Sequence, residues 1–146
     1  MERKYRYYRD TTSQSRIYGK LPLLEVRLTH GENYIDLDCL VDSGAIDSMF
    51  HFDVADELGI DLRDREKREY FSIEGSIIIG QVCAVQLQVK GLPDPIEIKV
   101  AFVEVNQMPL LGQVGFFDNY EIRFQRFKER FEVLPILQPG GNKYLM

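Results

Sequence analysis

Short apolar segments separated by turn residues recur along this 146-residue chain, and their spacing is what most constrains its fold. Residues 21–29 and 34–41 flank the turn sequence H-G-E-N, which predicts an antiparallel hairpin with glycine in its turn. Only two brief segments, residues 52–58 and 113–119, favour a helix. The other predicted strands are the two arms of a long hairpin at residues 70–89, then residues 96–105, 120–124 and 131–137. The pattern predicts an all-β domain, closed or sandwich-like.

Length and charge narrow the classes of function. The chain is long enough for one domain with a sizeable core and too short for two ordinary domains. A net charge of -5 and a pI of about 5.1 give no general attraction to phosphate backbones, so we expect no nucleic-acid partner. No segment has the length of a signal-peptide core or a membrane span, which predicts a cytoplasmic protein without a membrane partner. Cys39 and Cys83 lie in apolar strand-like segments and are expected to be reduced core residues.

Both ends of the chain are predicted to lie outside the folded domain. Residues 1–16 are basic and tyrosine-rich without strand or helix periodicity, which predicts a flexible tail. The domain is predicted to span residues 17–137, and residues 138–146 are predicted to form a C-terminal tail. Within the domain, residues 61–69 carry charges of both signs and predict a solvated loop. Residues 123–131 interleave bases and aromatics as some nucleic-acid surfaces do, but a hairpin explains them more simply.

An aspartate directly follows one of the predicted strands. A strand-like apolar segment ends at Val41, and Asp42 is followed by the small residues Ser43, Gly44 and Ala45. Residues of this size leave room for another backbone or a ligand to approach closely. Asp-Ser-Gly is also a common turn sequence, because Asp and Ser side chains bond to nearby backbone groups. The aspartate is therefore either a structural turn residue or a functional carboxylate.

Three acidic residues, Asp36, Asp38 and Asp42, raise the alternative of a cation site. The first two share one strand face, because side chains alternate along a strand. No calcium-loop spacing or other oxygen-ligand pattern accompanies them, and outward acidic side chains are ordinary on a half-exposed strand. We therefore expect no metal and no cofactor.

Three motifs, in order along the chain, resemble the retropepsin-like aspartic peptidases, the single-domain family typified by retroviral proteases. V-D-S-G-A at residues 41–45 resembles the family's hydrophobic-Asp-Thr/Ser-Gly-Ala signature, and residues 73–79 resemble its glycine-containing flap. Leu110-Leu111-Gly112 followed by a short helix resembles its second motif. The resemblance covers most of the chain and implies a closed acid-protease barrel with a flap hairpin and one or two short helices.

The resemblance also assigns roles to individual residues. It implies that Asp42 is catalytic and that Ser43, Gly44 and Ala45 support the catalytic loop. The implied flap and substrate-binding residues are Ile73, Glu74, Gly75, Ser76, Ile77, Ile78 and Ile79, the second-motif residues are Leu110, Leu111 and Gly112, and the substrate-side residues are Ile46 and Asp47. As a pattern alone, the three consecutive isoleucines either pack under a neighbouring sheet or form a mobile lid over a substrate.

The chain departs from the family pattern at three positions. Ile46 stands where the family often has a polar residue that holds the peptide main chain, and Gln113 stands where an arginine often ties to that residue. At the flap, Glu74 occupies a position where glycine is usual. The first two changes are compatible with each other, but they remove a polar contact that the family uses near its substrate.

A single Asp42 loop implies a second subunit. Peptide hydrolysis by this chemistry needs two facing carboxylates around one water, and Asp47 belongs to the same turn region, so it cannot supply the second. The resemblance implies a C₂ homodimer in which each subunit contributes Asp42, acting as an endopeptidase on a peptide or protein substrate. The alternative is a non-catalytic dimer of the same fold that binds a peptide or a partner protein, and Ile46, Glu74 and Gln113 favour it.

Overall fold

The structure, a computed structural model, describes residues 3–8 and 19–136 of the chain. In this part of the chain it contains ten strands and two short α-helices. Their bounds are β1 (Arg3–Arg6), β2 (Leu23–His30), β3 (Asn33–Val41), β4 (Met49–His51), α1 (Phe52–Glu57), β5 (Glu66–Phe71), β6 (Ile77–Val89), β7 (Ile96–Val103), β8 (Leu110–Leu111), α2 (Phe116–Asn119), β9 (Tyr120–Gln125) and β10 (Arg130–Pro135). A single 3₁₀ turn, Arg126–Lys128, joins the last two strands. The predicted all-β class with two short helices is confirmed.

Seven strands form one sheet that closes on itself. Their order is β2-β3-β8-β4-β7-β6-β5, and an additional antiparallel pairing of β2 with β6 joins the ends of the first six into a ring. Strand β6 is long enough, at 13 residues, to serve two partners besides β7. Its C-terminal part pairs with β2, whereas its N-terminal part pairs with β5. The β5–β6 hairpin therefore projects from a closed barrel, as the resemblance implied.

Alternate side chains of β6 and β7 point into the barrel and form part of its core. On β7, Ile98, Val100 and Phe102 are buried in the main core. The alternate residues Ala101 and Val103 belong to a second, smaller apolar cluster on the opposite face. The two cysteines are buried and unpaired, which confirms the expected reduced core residues.

A separate three-stranded sheet, ordered β1-β10-β9, corrects the prediction for the N-terminus. Residues 3–6, which we expected in a flexible tail, form a strand that pairs with β10. The reason is aromatic burial, because Tyr5 stacks on the fully buried Phe131 at 5.5 Å and Tyr7 packs edge-on against the same ring at 6.0 Å. The rest of the predicted N-terminal tail and the whole predicted C-terminal tail lie outside the described residues, except for Tyr7 and Tyr8.

The charged segment at residues 61–69 is only partly a loop. Asp61 and Arg63 form an exposed ion pair at 2.7 Å, as expected of a solvated connection. From Glu66 onward, however, the chain forms β5, because the edge of β6 offers it a full ladder from Glu66↔Val82 to Phe71↔Ile77. The basic and aromatic run near the C-terminus forms the β9–β10 hairpin, which confirms the simpler explanation for it.

The described helices are all short. None of those in residues 3–8 and 19–136 combines the length and the apolar character that crossing a membrane requires.

Candidate functional site

Asp42 lies where β3 leaves the barrel and the chain turns. Its backbone N–H donates to the carbonyl oxygen of Leu111 at 3.0 Å, so strand β8 holds the start of the turn. The Gly44 N–H donates to Oδ1 of the Asp42 carboxylate at 2.8 Å, and the Ala45 N–H donates to the Asp42 carbonyl oxygen at 3.2 Å. The local turn therefore orients the carboxylate, which is partly exposed, while Ser43 and Gly44 are open to solvent.

The second motif supports this loop through backbone contacts. Strand β8 runs parallel to the end of β3, with Leu40 opposite Leu110 and Val41 opposite Leu111. Immediately after it, the Gly112 N–H donates to the hydroxyl of the fully buried Ser48 at 3.0 Å. A Cβ atom at Gly112 would lie 2.6 Å from the carbonyl oxygen of Asp47. Only glycine lets the second motif approach the Asp42 loop this closely.

The residue after the second-motif glycine ties the same loop at two points. The Gln113 backbone N–H donates to the Ala45 carbonyl oxygen at 2.8 Å, and its side-chain Nε2 donates to the Ser43 carbonyl oxygen at 2.6 Å. Gln113 thus replaces a polar side-chain pair by a bond from its amide to the loop backbone. The apolar side chain of Ile46 cannot accept a hydrogen bond from this amide. Ile46 is 65% exposed, and Val114 beside it is also exposed. The loop therefore presents apolar side chains to solvent.

The hairpin of β5 and β6 carries the residues that the resemblance assigns to a flap. Its tip is closed by Ser72, whose N–H donates to the Ser76 carbonyl oxygen at 2.9 Å and whose hydroxyl accepts from the Ser76 N–H at 3.0 Å. Gly75 has a φ of +88°, which a side chain at this position would strain. Ile73 is fully exposed at the tip, and the exposed Glu74 lies next to it.

The three consecutive isoleucines divide between two environments because β6 alternates. Ile78 packs against the small apolar cluster, while Ile77 and Ile79 are more than half exposed. This cluster consists of the buried residues Met49, Ala101 and Val103 with Tyr70, Ile78 and Leu110 packed against them. It joins β5 and β6 to β4, β7 and β8, so the hairpin has an apolar base within the barrel wall.

Asp47, which the resemblance assigned to the substrate side, has a buried side chain. It is 3% exposed, and its Oδ2 accepts hydrogen bonds from Arg68 Nη1 at 3.0 Å and from the Tyr70 hydroxyl at 2.6 Å. Burial, followed by the bond to Asp47, raises the pKa of Tyr70. Bonds to Glu66 and then to Asp47 raise the pKa of Arg68. The Asp47 carboxylate therefore binds strand β5 in this chain.

Sequence reasoning missed Arg68 and Tyr70 because both lie in or beside a segment interpreted as a charged loop. The available signal was their spacing of two, which places them on one face of any strand formed there. That signal becomes informative only once the segment is known to be a strand.

The acidic residues on β3 do not gather around a cation. Asp36 accepts two bonds from Arg27, at 2.8 Å and 3.0 Å, and this pairing lowers the pKa of its carboxyl group. Within residues 3–8 and 19–136, no three side chains of the metal-binding types lie close enough to hold an ion together. The exposed pair of Asp36 with Arg27 explains one of the three acidic positions without a ligand.

No protein-family model matches the sequence, and no curated protein matches it with significance. Solved structures do match the fold. A retropepsin-like aspartic protease from Rickettsia conorii superimposes with a TM-score of 0.60 at 15% identity, over 90% of this chain and 98% of that one. EIAV protease, complexed with the inhibitor HBY-793, superimposes with a TM-score of 0.53 at 20% identity, over 65% of this chain and 84% of that one. The chain therefore has the retropepsin-like fold, the fold of these two aspartic proteases.

Proposed function

We propose that the chain is an aspartic endopeptidase that acts as a homodimer, with one Asp42 carboxylate from each subunit. The observation that carries the proposal is the loop itself. A partly exposed aspartate lies on a turn of small residues, its carboxylate is oriented by the Gly44 N–H, and a glycine of the second motif supports the turn from behind. A turn that only capped its own backbone would need no such support from a distant strand.

In this proposal the two carboxylates share one proton, since like charges held close together cannot both ionise, as is known for the aspartic-protease dyad. The ionised carboxylate takes a proton from water while the oxygen of that water bonds to the carbonyl carbon of the substrate. The protonated partner gives its proton to the carbonyl oxygen. The C–N bond then breaks as the leaving nitrogen receives a proton, and two peptide fragments result. Ser43, Gly44 and Ala45 position the loop in both subunits.

The flap has a separate role in the proposal. Residues 73–79 would close over a bound peptide and exclude water from the two carboxylates. The exposure of Ile73, Ile77 and Ile79 supports this role, because these side chains are available for a substrate or for the second subunit. A peptide or protein segment is the substrate class that an open groove between two loops and two flaps would accept.

Dimerisation is supported by what the loop exposes. Ile46 and Val114 are both exposed beside the Asp42 loop, where a second copy would cover them. Identical loops meet at the axis of an isologous dimer, which is how one aspartate per chain becomes a pair.

The test is peptide cleavage by the purified protein with a diverse peptide library across acidic and neutral pH. We expect wild type to cleave and Asp42→Asn to be inactive, with both dimeric by light scattering. Asp53→Asn is the matched control, because its side chain is 85% exposed on α1 away from the loop, and it should cleave like wild type. Cleavage by Asp42→Asn at the wild-type rate would refute the catalytic assignment.

The exposed Ile46 favours the second candidate, a non-catalytic dimeric module that binds a peptide or protein. An apolar residue there gives a binding surface but no polar hold on a peptide main chain. Peptides that bind wild type and Asp42→Asn equally, with no cleavage by either, would support this module in place of the peptidase.

A further inference from the structure

One buried carboxylate links the Asp42 loop to the flap. Asp47 lies five residues after Asp42, and its backbone pairs with Val114 in a parallel bridge next to the second motif. Its side chain, however, is held by Arg68 and Tyr70, which lie 21 and 23 residues further along the chain on strand β5. A single residue thus has its backbone fixed in the loop and its carboxylate bonded to the flap.

The carboxylate depends on the flap strand for all of its hydrogen bonds among the described residues. Oδ2 accepts from both Arg68 and Tyr70, whereas the buried Oδ1 accepts from no group in that part of the chain. A buried carboxylate without donors is costly. If β5 moved away from the loop, Asp47 would lose both donors at once, so the contact favours one position of the flap base.

A glycine makes room for the tyrosine. Gly80 lies on β6 opposite Arg68, and a Cβ atom there would lie 2.9 Å from Cε2 of the Tyr70 ring. The same ring packs against the cluster of Met49, Ala101 and Val103. The backbone at Gly80 has no positive φ, so the space taken by the ring and by the Ala101 Cβ atom, 3.1 Å from the same position, accounts for glycine here.

We propose that Asp47, Arg68 and Tyr70 form a tether that sets the position of the flap base over the Asp42 loop. Gly80, which has no side chain, leaves the space that the Tyr70 ring occupies. The three are positioning residues, because they act on a substrate only through the flap. For its effect on catalysis the tether rests on the proposed peptidase function, but the position and mobility of the flap are properties of the chain itself.

The first measurement needs no activity. Hydrogen–deuterium exchange of the full chain is followed for wild type and Tyr70→Phe, which removes the hydroxyl and keeps the ring. We expect exchange in residues 71–79 to become about tenfold faster, the effect of losing one hydrogen bond to a charged group, with the β2–β3 hairpin unchanged. Tyr34→Phe is the matched control, since Tyr34 is exposed on β3, and it should exchange like wild type.

The second measurement uses peptide cleavage. A tether that holds the flap contributes equally to binding substrate and transition state, so Tyr70→Phe should raise KM several-fold with kcat nearly unchanged. Gly80→Ala, which displaces the ring, should give the same pattern. A variant that merely lost stability would instead lower the active fraction and leave KM as it was.

The two measurements distinguish the possible failures. Wild-type exchange of residues 71–79 in Tyr70→Phe would overturn the tether, and so would a uniform increase across the whole barrel, which would indicate a purely structural contact. A wild-type protein without any cleavage would refute the peptidase proposal alone, and the exchange data would still decide the tether.

Discussion

Replacing Gly112 with alanine tests how closely the second motif supports the Asp42 loop. A Cβ atom at this position would lie 2.6 Å from the carbonyl oxygen of Asp47 and 2.8 Å from that of Ala45. Both contacts are to backbone, which cannot rotate away as a side chain can. Gly112 does not have a positive φ, so the substitution adds no conformational strain and its whole effect comes from this crowding.

The size of the effect follows from the distances. Ordinary contacts of a Cβ atom begin at 3.4 Å, so the Asp47 carbonyl oxygen must retreat by about 0.8 Å, the difference from 2.6 Å. Overpacking of this kind costs about 1–3 kcal/mol. The movement also weakens the bonds from the Gly112 N–H to Ser48 and from the Gln113 N–H to Ala45, each worth about 0.5–1.5 kcal/mol. We expect Gly112→Ala to lower the free energy of unfolding by about 2–4 kcal/mol, out of a typical total of about 5–15 kcal/mol.

Urea denaturation followed by circular dichroism measures this change, and Gly44→Ala is the matched control. Gly44 lies in the same loop and also lacks a positive φ, but a Cβ atom there would approach only Oδ1 of Asp42, at 3.2 Å. We expect Gly44→Ala to change the free energy of unfolding by less than about 1 kcal/mol while reducing cleavage, because it crowds the carboxylate and not the backbone. A Gly112→Ala variant as stable as Gly44→Ala would refute the steric argument.

Two further predictions concern titratable groups, the partly buried Tyr5 and the buried Cys39. Burial raises the pKa of Tyr5 to about 12, above its value of about 10 in an unfolded chain. The uncharged form of Tyr5 therefore stabilises the fold fully below about pH 10, and this contribution is lost as the pH rises towards 12. After screening by solvent the loss is about 1–2 kcal/mol, so urea titrations from pH 8 to 12 should show a shallower decline of the free energy of unfolding with pH for Tyr5→Phe than for wild type. Complete burial raises the pKa of the Cys39 thiol, so a thiol reagent should label Cys39 only as fast as the protein unfolds, and rapid labelling of Cys39 in the native protein would contradict its placement in the core.

Elements whose apolar residues alternate could be predicted from the sequence. The β2–β3 hairpin and β7 carry their own signal, because every second side chain is apolar and faces the barrel interior. The short helix α1 is followed in the sequence by Gly59, and a glycine at this place is a helix-stop signal; Gly59 has a positive φ. In each case the information lies within one segment, so the partner strand need not be known.

Strands whose stability depends on a distant partner could not be predicted. Strand β1 contains one aromatic residue among three bases, and it is ordered by the contact of Tyr5 with Phe131 at the far end of the chain. Strand β5 is mostly charged, and it is ordered by its ladder with β6 and by Asp47. Local composition indicated a tail for β1 and a loop for most of β5, because it holds no information about a partner that lies nearby only in the folded barrel.

The residues of the candidate site fall into the same two groups, those with a local sequence signal and those that depend on a distant partner. The Asp42 turn and Gly112 could be anticipated from short motifs, since each motif is a contiguous stretch with a steric requirement of its own. The bonds from Arg68 and Tyr70 to Asp47 could not, because their existence depends on how β5 docks after the barrel has formed. Contiguous motifs reveal the chemical groups of a site more readily than they reveal what positions those groups.

The architecture explains why a side-chain anchor lies on β5 and not on β6. Strand β6 is held along most of its length, since it pairs with β7 from Gly80 to Leu87 and with β2 from Gln86 to Val89. Strand β5 has β6 as its one ladder partner among the described strands and forms the outer edge of the sheet. Backbone bonds alone would let β5 follow every movement of the flap tip. The bonds from Arg68 and Tyr70 to Asp47 attach this otherwise free edge to the Asp42 loop, so that both strands of the hairpin are supported at its base.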